Sequence, residues 1–327
     1  MTLSHEADNS LNLKEPRCAV VMACDSGYAP YAFCLADSLR KLEGEEVYDI
    51  VVLSQDDLPI PGMLGLQGVS VVRVPPRTPF DDAPNIDRHG LEAFFRILAP
   101  NLLSEHYDRI LYLDVDIIPN ARLSQLFELN LSGAAIAAVR DHQQWRTARR
   151  QVDEFRKMKL QKSAYFNSGV LLLDVDKFLE ADVINRSKKL MLDTPNAIIR
   201  HDQSILNILF YQSWTEISPI WNWQYTAATR FFADLVEPRL IHFIGGRKPW
   251  RDRNSTLPAR FRKAYHDFTK AYYPDQPHTI APVDPITMAW PEKPVRAFLK
   301  HAQSVATTRR YLSRFPEELT TYGPDQD

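Results

Sequence analysis

The stretch Arg109-Ile-Leu-Tyr-Leu-Asp-Val-Asp-Ile-Ile-Pro-Asn120 decides how the chain is read. Its apolar run, Ile110 to Leu113, predicts a fully buried strand of a parallel-type sheet. The run ends in two carboxylates spaced i, i+2, a spacing that puts Asp114 and Asp116 on one face of extended backbone. Two acids side by side at the end of a core strand are costly unless positive charge sits between them. A divalent cation is the simplest such charge, because it prefers hard carboxylate oxygens. Pro119 then ends the run. An isolated Asp-x-Asp is more often a pair of solvated strand-end acids; the surrounding chain shifts that balance.

Upstream, Cys18-Ala-Val-Val-Met-Ala23 reads as a buried strand and Cys24-Asp-Ser-Gly-Tyr28 as a turn, and Ala29 to Leu42 has apolar residues at helical spacing. Two more strands, Tyr48–Leu53 and Val69–Val74, follow. Strands alternating with helices predict an α/β domain on a mostly parallel, Rossmann-like sheet. Ligands of such sheets bind beyond the carboxyl ends of the strands, so Asp25 and the acid pair share one rim. Pro75 to Gly90 reads as a loop. Leu91 to Leu103 reads as a helix in which Arg96 lies among Phe94, Phe95, Ile97 and Leu98. A surface arginine with its stem on the sheet is the ordinary reading; these neighbours favour a buried ionic or phosphate-facing one.

Downstream, Ala134–Val139 is a strand leading to Arg140-Asp141-His142, and the mixed-charge segment Gln143 to Lys162 is expected to be helical. Tyr165-Phe-Asn-Ser-Gly-Val-Leu-Leu-Leu-Asp174 turns into another strand. Asp174-Val-Asp176 repeats the acid spacing, but Lys177-Phe-Leu starts a helix at once, so these acids read as a strand end and a cap. Helices are expected over Ala181–Leu192 and His201–Phe210. Asp202 either caps the second of these or points into the site with Gln203. Trp214, Trp221, Trp223 and Tyr225 suit a core and a sugar-binding face equally. In Leu240-Ile-His-Phe-Ile-Gly-Gly-Arg-Lys-Pro-Trp250 a short strand carries His242 into a Gly-Gly loop with two cations. Lone histidines on apolar strands are usually core. Beside Gly245, Gly246, Arg247 and Lys248, His242 becomes a metal-ligand candidate and Lys248 a phosphate contact. Arg260–Tyr273 is a helix.

The expected organisation is a flexible tail (1–16), a catalytic domain (17–273), a Pro-rich linker (274–294) and a basic C-terminal helical segment (295–327). With 327 residues, the chain is long enough for one large core plus an appendage. Its 45% hydrophobic and 24% charged residues are ordinary for a soluble globular protein. A formal net charge of -2 gives no overall attraction to nucleic acid. Cys18, Cys24 and Cys34 are odd in number and lack metal-ligand spacing, which favours reduced thiols and a cytoplasmic location. The polar start does not read as a signal peptide, and no stretch is apolar enough to span a membrane. The C-terminal segment is basic, with Val295, Phe298, Leu299, Ala302, Val305 and Ala306 at helical spacing. It is expected either to pack on its own domain or to lie peripherally on the inner face of a membrane.

Taken in order, Ala23-Cys-Asp25-Ser-Gly-Tyr28, Phe95-Arg96, Leu111-Tyr-Leu-Asp-Val-Asp116, Phe166-Asn-Ser-Gly-Val170, Asp202-Gln-Ser-Ile-Leu-Asn207 and His242-Phe-Ile-Gly-Gly-Arg-Lys-Pro-Trp250 resemble the motifs of glycosyltransferase family 8. That family includes bacterial lipopolysaccharide galactosyl- and glucosyltransferases and glycogenin. The resemblance covers about Cys18 to Trp250 and the helix after it. It implies the type A glycosyltransferase fold, here with a C-terminal helical extension. It also implies a retaining transfer of galactose or glucose from a uridine diphosphate (UDP) sugar to a saccharide or glycolipid acceptor. By resemblance, Ala23, Asp25 and Tyr28 hold the nucleoside, Val115, Gly245 and Lys248 line the diphosphate, and Asp114, Asp116 and His242 ligate manganese or else magnesium. Arg96, Asp114, Asp141, Asn167, Ser168, Asp202 and Gln203 surround the donor sugar, and Gln203, Asp141 and Asp202 are the catalytic candidates. Some relatives carry alanine where Ser168 stands, which leaves the sugar open. The alternatives are a self-glucosylating enzyme like glycogenin, a nucleotidyltransferase using paired acids and a metal, and a non-catalytic nucleotide-sugar-binding protein.

Overall fold

A computed structural model describes residues 17–62, 64–81, 88–147, 150–226, 228–252, 257–275 and 294–324. The predicted tail (1–16), most of the Pro-rich linker and the middle of the Pro75–Gly90 loop lie outside them. The strands are β1 (Cys18–Ala23), β2 (Asp49–Ser54), β3 (Val69–Arg73), β4 (Arg109–Leu113), β5 (Ile117–Pro119), β6 (Ile136–Arg140), β7 (Phe166–Asp174), β8 (Thr215–Ile217), β9 (Trp223–Gln224), β10 (Leu240–His242) and β11 (Thr321–Tyr322). The α-helices are α1 (Ala29–Leu42), α2 (Phe95–Leu103), α3 (Ser124–Phe127), α4 (His142–Arg146), α5 (Asp153–Lys157), α6 (Val175–Glu180), α7 (Val183–Asp193), α8 (His201–Leu209), α9 (Arg230–Val236), α10 (Ala259–Tyr272) and α11 (Pro294–Leu312).

The main sheet runs β11-β8-β6-β7-β4-β1-β2-β3, and a small sheet runs β5-β10-β9. β1 pairs in parallel with β2 and β4, as do β2 with β3 and β6 with β8. β7 is reversed and pairs antiparallel to both β4 and β6. This reversal matters for the site, because it brings the start of β7 to the rim where β4 ends. Side chains of a strand alternate between faces, and two apolar layers result. Val20, Met22, Leu111 and Leu113 enter one layer; Ala19, Val21, Ile110 and Tyr112 enter the other. β4 and β7 are apolar on both faces because helices cover both.

The expected third strand is present as β3, half-exposed along most of its length, as befits the strand at the end of the sheet order. Several expectations change. The segment Gln143–Lys162 is not one helix. α4 ends at Thr147, α5 spans five residues, and Lys159 turns the chain at a φ of 56°. Trp214, Trp221, Trp223 and Tyr225 are all buried, so they belong to the core and offer no free sugar face. Asp174 accepts a hydrogen bond from Lys177 N (3.2 Å) and caps α6, as the sequence predicts. In α11, Ser304, Thr308 and Tyr311 face the domain, while Phe298, Leu299 and Val305 stay exposed. The apolar stripe read from sequence is therefore the outward face, and the helix is anchored through hydroxyl-bearing residues.

Candidate active site

The acid pair sits at a junction of both sheets. β4 delivers Asp114, whose N–H donates to Gly169 O of β7 (2.8 Å). The chain then passes Asp116 into β5, which pairs with β10 so that His242 lies opposite Ile117. Phe243 N donates to Asp116 O at 3.0 Å and ties the two ends together. His242 Nε2 consequently stands 3.2 Å from Asp116 Oδ1 and 3.6 Å from Asp114 Oδ2. One ligand atom from each of the three residues lies within 4.8 Å of the others.

The fit of this triad to a cation can be judged from its hydrogen bonds. Asn222 Nδ2 donates to Asn167 Oδ1 at 2.8 Å, so Asn222 Oδ1 is free to accept from the His242 Nδ1 that lies 3.0 Å away. With its proton on Nδ1, His242 turns the lone pair of Nε2 toward the carboxylates. Asp116 Oδ1 is buried and has no hydrogen-bond donor. Two facing lone pairs in a dry pocket repel unless a cation lies between them. Gly169 leaves the room for it: a Cβ there would come within 2.2 Å of His242 Cε1 and 2.6 Å of Asp114 Oδ2. Two carboxylates and one imidazole form a donor set suited to manganese or a similar divalent ion.

Arg96 organises the adjacent wall. It is buried, as its neighbours predicted, and its guanidinium reaches Asp114 Oδ1 (2.9 Å), Asp202 Oδ2 (3.0 Å), and Ser168 Oγ (3.0 Å). Burial alone would lower its pKa, but Asp114 and Asp202 raise it well above the ordinary arginine value. Asp202 is not the cap of α8. Its Oδ2 accepts from Ser168 Oγ at 3.0 Å, and burial raises its pKa against the opposing pull of Arg96. Gln203 Oε1 accepts from Ser168 N (3.1 Å) and Asn167 Nδ2 (3.2 Å). A continuous chain of amides, Gln203–Asn167–Asn222, thus ends on His242. Lys248 contacts Asp116 Oδ2 and donates to Phe243 O (2.7 Å). Without a metal, burial pushes the Asp116 carboxyl up, but the charge of an imidazolium at His242 and that of Lys248 outweigh it and hold it below the usual carboxylate range; a bound cation would take the place of that imidazolium charge.

A cavity of roughly 250 Å³ opens beside this cluster, lined by Ala23, Asp25, Tyr28, Arg96, Asp114, Val115, Asp116 and Lys248, with Cys24, Glu92 and Tyr112. Every expected nucleoside and diphosphate residue except Gly245 is on that wall. Gly245, at a φ of 79°, and Gly246 form an exposed loop before Lys248. Asp25 Oδ1 accepts from Tyr28 N at 2.9 Å, which shapes the turn at the end of β1. Asp141 stands apart from the amide chain: it caps α4 by accepting from Gln143 N (3.0 Å). Asn222 and Tyr112 were missed from sequence. Tyr112, under the Arg96 guanidinium at 4.6 Å, carries the signal of adjoining the acid pair, whereas Asn222 carries none.

The chain as a whole is similar to known proteins. The family model described as "Glycosyl transferase family 8" matches residues 19–254. General stress protein A of Bacillus subtilis is 27% identical over 207 residues, covering 56% of this chain and 69% of that one. Lipopolysaccharide 1,2-glucosyltransferase of Escherichia coli is 30% identical over 166 residues, covering 48% of each chain, so this chain spans about half of that relative. Among solved structures, the galactosyltransferase LgtC in complex with donor and acceptor sugar analogs has a similar fold, with a TM-score of 0.59 at 23% identity over 76% of this chain and 95% of that one. With the family model spanning more than half of its length, residues 19–254, the chain belongs to glycosyl transferase family 8.

Proposed function

We propose that the protein is a retaining hexosyltransferase that moves galactose or glucose from a UDP-sugar to a saccharide or glycolipid acceptor in cell-envelope glycan synthesis. The observation that carries this reading is the single cavity onto which the nucleoside-side residues Ala23, Asp25 and Tyr28 and the acid pair both open. Lipopolysaccharide glucosyl transfer in a relative supports the acceptor class.

In this reading Asp114, Asp116 and His242 hold a divalent ion, manganese in preference to magnesium, which supplies positive charge at the departing diphosphate. The chain's own residues do the rest. Lys248 leaves Asp116 for the phosphate and adds a second charge where negative charge develops. Arg96 holds Asp114 and Asp202 in place, and Asp202, Asn167 and Ser168 present acceptor and donor atoms to sugar hydroxyls. Asp141 and Gln203 offer oxygens to a sugar gaining oxocarbenium character. Titration of UDP with and without manganese, followed by hydrolysis of a panel of UDP-hexoses, tests the proposal. Failure of UDP to bind in the presence of the metal would overturn it.

Two placements belong to the same reading. The catalytic unit is 17–273, with the helical segment 295–327 appended. The exposed Phe298, Leu299 and Val305 of α11, with Arg309 on the same side of the helix, contact an anionic membrane from the cytoplasmic side. Among the described residues no helix is long and apolar enough to cross a membrane, and Cys18, Cys24 and Cys34 are free thiols. Flotation with anionic liposomes checks the contact: Phe298→Ser with Leu299→Ser should abolish salt-sensitive binding.

A further inference from the structure

A second and larger cavity, roughly 790 Å³, lies between α4, the segment that follows it and the last turns of α11. It is lined by Arg140, Arg150, Lys162, Arg310 and Arg314, with no acid among its lining residues. Behind the wall, Glu216 accepts from Arg140 Nε (2.8 Å) and Arg314 Nη1 (3.0 Å), and from Tyr311 Oη (2.7 Å). One buried carboxylate therefore fixes two of the arginines and aims them. Arg150, Lys162 and Arg310 are exposed, and among the described residues no acid is paired with them. The charges of Arg150, Lys162 and Arg310, gathered without a paired acid, repel each other, and a bound anion relieves that repulsion. Guanidinium groups also suit phosphate and carboxylate as two-pronged donors.

The position of the cavity narrows the ligand. Arg140, on its wall, is followed directly by Asp141, the proposed sugar-site residue. Gln144 lines the cavity and also accepts from Tyr165 N (2.9 Å), the residue just before β7, which carries Asn167 and Ser168. The volume is about three times that of the cavity beside the acid cluster, more than a simple inorganic ion needs. We propose that this cavity binds an anionic saccharide, a sugar bearing phosphate or carboxylate, as the part of the acceptor that precedes the hydroxyl being glycosylated. The assignment to the acceptor rests on the hexosyltransferase reading; the anion preference does not.

Calorimetry on the full chain with glucose 6-phosphate, glucuronate, glucose and inorganic phosphate tests the assignment. Glucose 6-phosphate or glucuronate should bind at least about 10-fold tighter than glucose, with a preference that shrinks in high salt. Which of the two binds tighter distinguishes phosphate from carboxylate. Arg150→Ser with Arg310→Ser, both on exposed positions, should weaken that binding by about 10-fold and leave UDP binding with manganese within about twofold. Equal binding of glucose and its anionic forms, or unchanged binding by the double variant, overturns the proposal. Inorganic phosphate binding as tightly as glucose 6-phosphate overturns its saccharide part. If UDP does not bind while anion selectivity persists and is lost in the double variant, the hexosyltransferase reading falls and the anion pocket stands.

Discussion

Asn222 Oδ1 lies 3.0 Å from Nδ1 of His242 and fixes which nitrogen of that ring faces Asp114 and Asp116. The amide can do this because its own nitrogen is committed to Asn167. Asn222→Ala should therefore weaken manganese binding by about 10- to 100-fold without touching a ligand. Manganese titration followed by electron paramagnetic resonance reads this directly; wild-type affinity in the variant would show that the ring is oriented by something else.

Gly169→Ala should damage the same site by volume alone. The added methyl would overlap His242 Cε1 and the Asp114 carboxylate. Overpacking of this kind costs about 1–3 kcal/mol. The variant is expected to unfold at lower urea and to lose metal affinity together, and an unaltered urea midpoint would contradict the described approach.

Arg96→Ala leaves Asp202 buried without its cation and frees one oxygen of Asp114. Removing one partner of a buried pair costs about 3–5 kcal/mol. Arg96→Lys should recover little, since one ammonium cannot span Asp114, Asp202 and Ser168 as the guanidinium does. Urea denaturation of both variants measures this.

The pH dependence follows from Asp116. Its carboxyl titrates below the ordinary range in the folded protein, because His242 and Lys248 outweigh the effect of burial. The folded state thus holds fewer protons on this group than the unfolded chain. Its contribution is present above the unfolded value of about 3.9 and fades as pH falls further, toward the folded value. In metal-free buffer, wild type should lose more stability than Asp116→Asn between about pH 5 and pH 3. Parallel curves for the two proteins would contradict this.

Asp141→Asn and Gln203→Ala should lower turnover by about 100-fold while UDP affinity changes little, because both are proposed to act on the sugar. Single-turnover assays alongside UDP titration separate the two effects; turnover within a few-fold of wild type would remove both residues from the mechanism.

Much of this site was legible in the chain because the chemistry demands unusual residues in unusual company. An acid pair ending an apolar strand, an arginine between phenylalanines, and a histidine before Gly-Gly-Arg-Lys each conflict with plain folding preferences. The structure brings Asp114, Asp116 and His242 within ligand distance and buries Arg96 against two of the acids. What stayed hidden has equally physical causes. Apolar periodicity has no direction, so nothing marks β7 as reversed. Asn222 is an ordinary amide between two core tryptophans, and its role exists only once β9 and β10 are paired. The break between α4 and α5 follows from local turns that a run of charged residues conceals.

β11 is only two residues long, yet it pairs antiparallel with β8 and supplies the last strand on that side of the main sheet. Without it, the backbone of Thr215–Ile217 would stand open as an unpaired edge, a template for strand addition by another copy of the chain. Trp221 Nε1 donates to Glu318 O (2.9 Å) and Arg239 pairs with Glu318, so the tail is stitched to the body as well as to the strand. Shortening the chain after α11 should therefore expose this edge to pairing between copies, and it would take Arg314 from the second cavity as well.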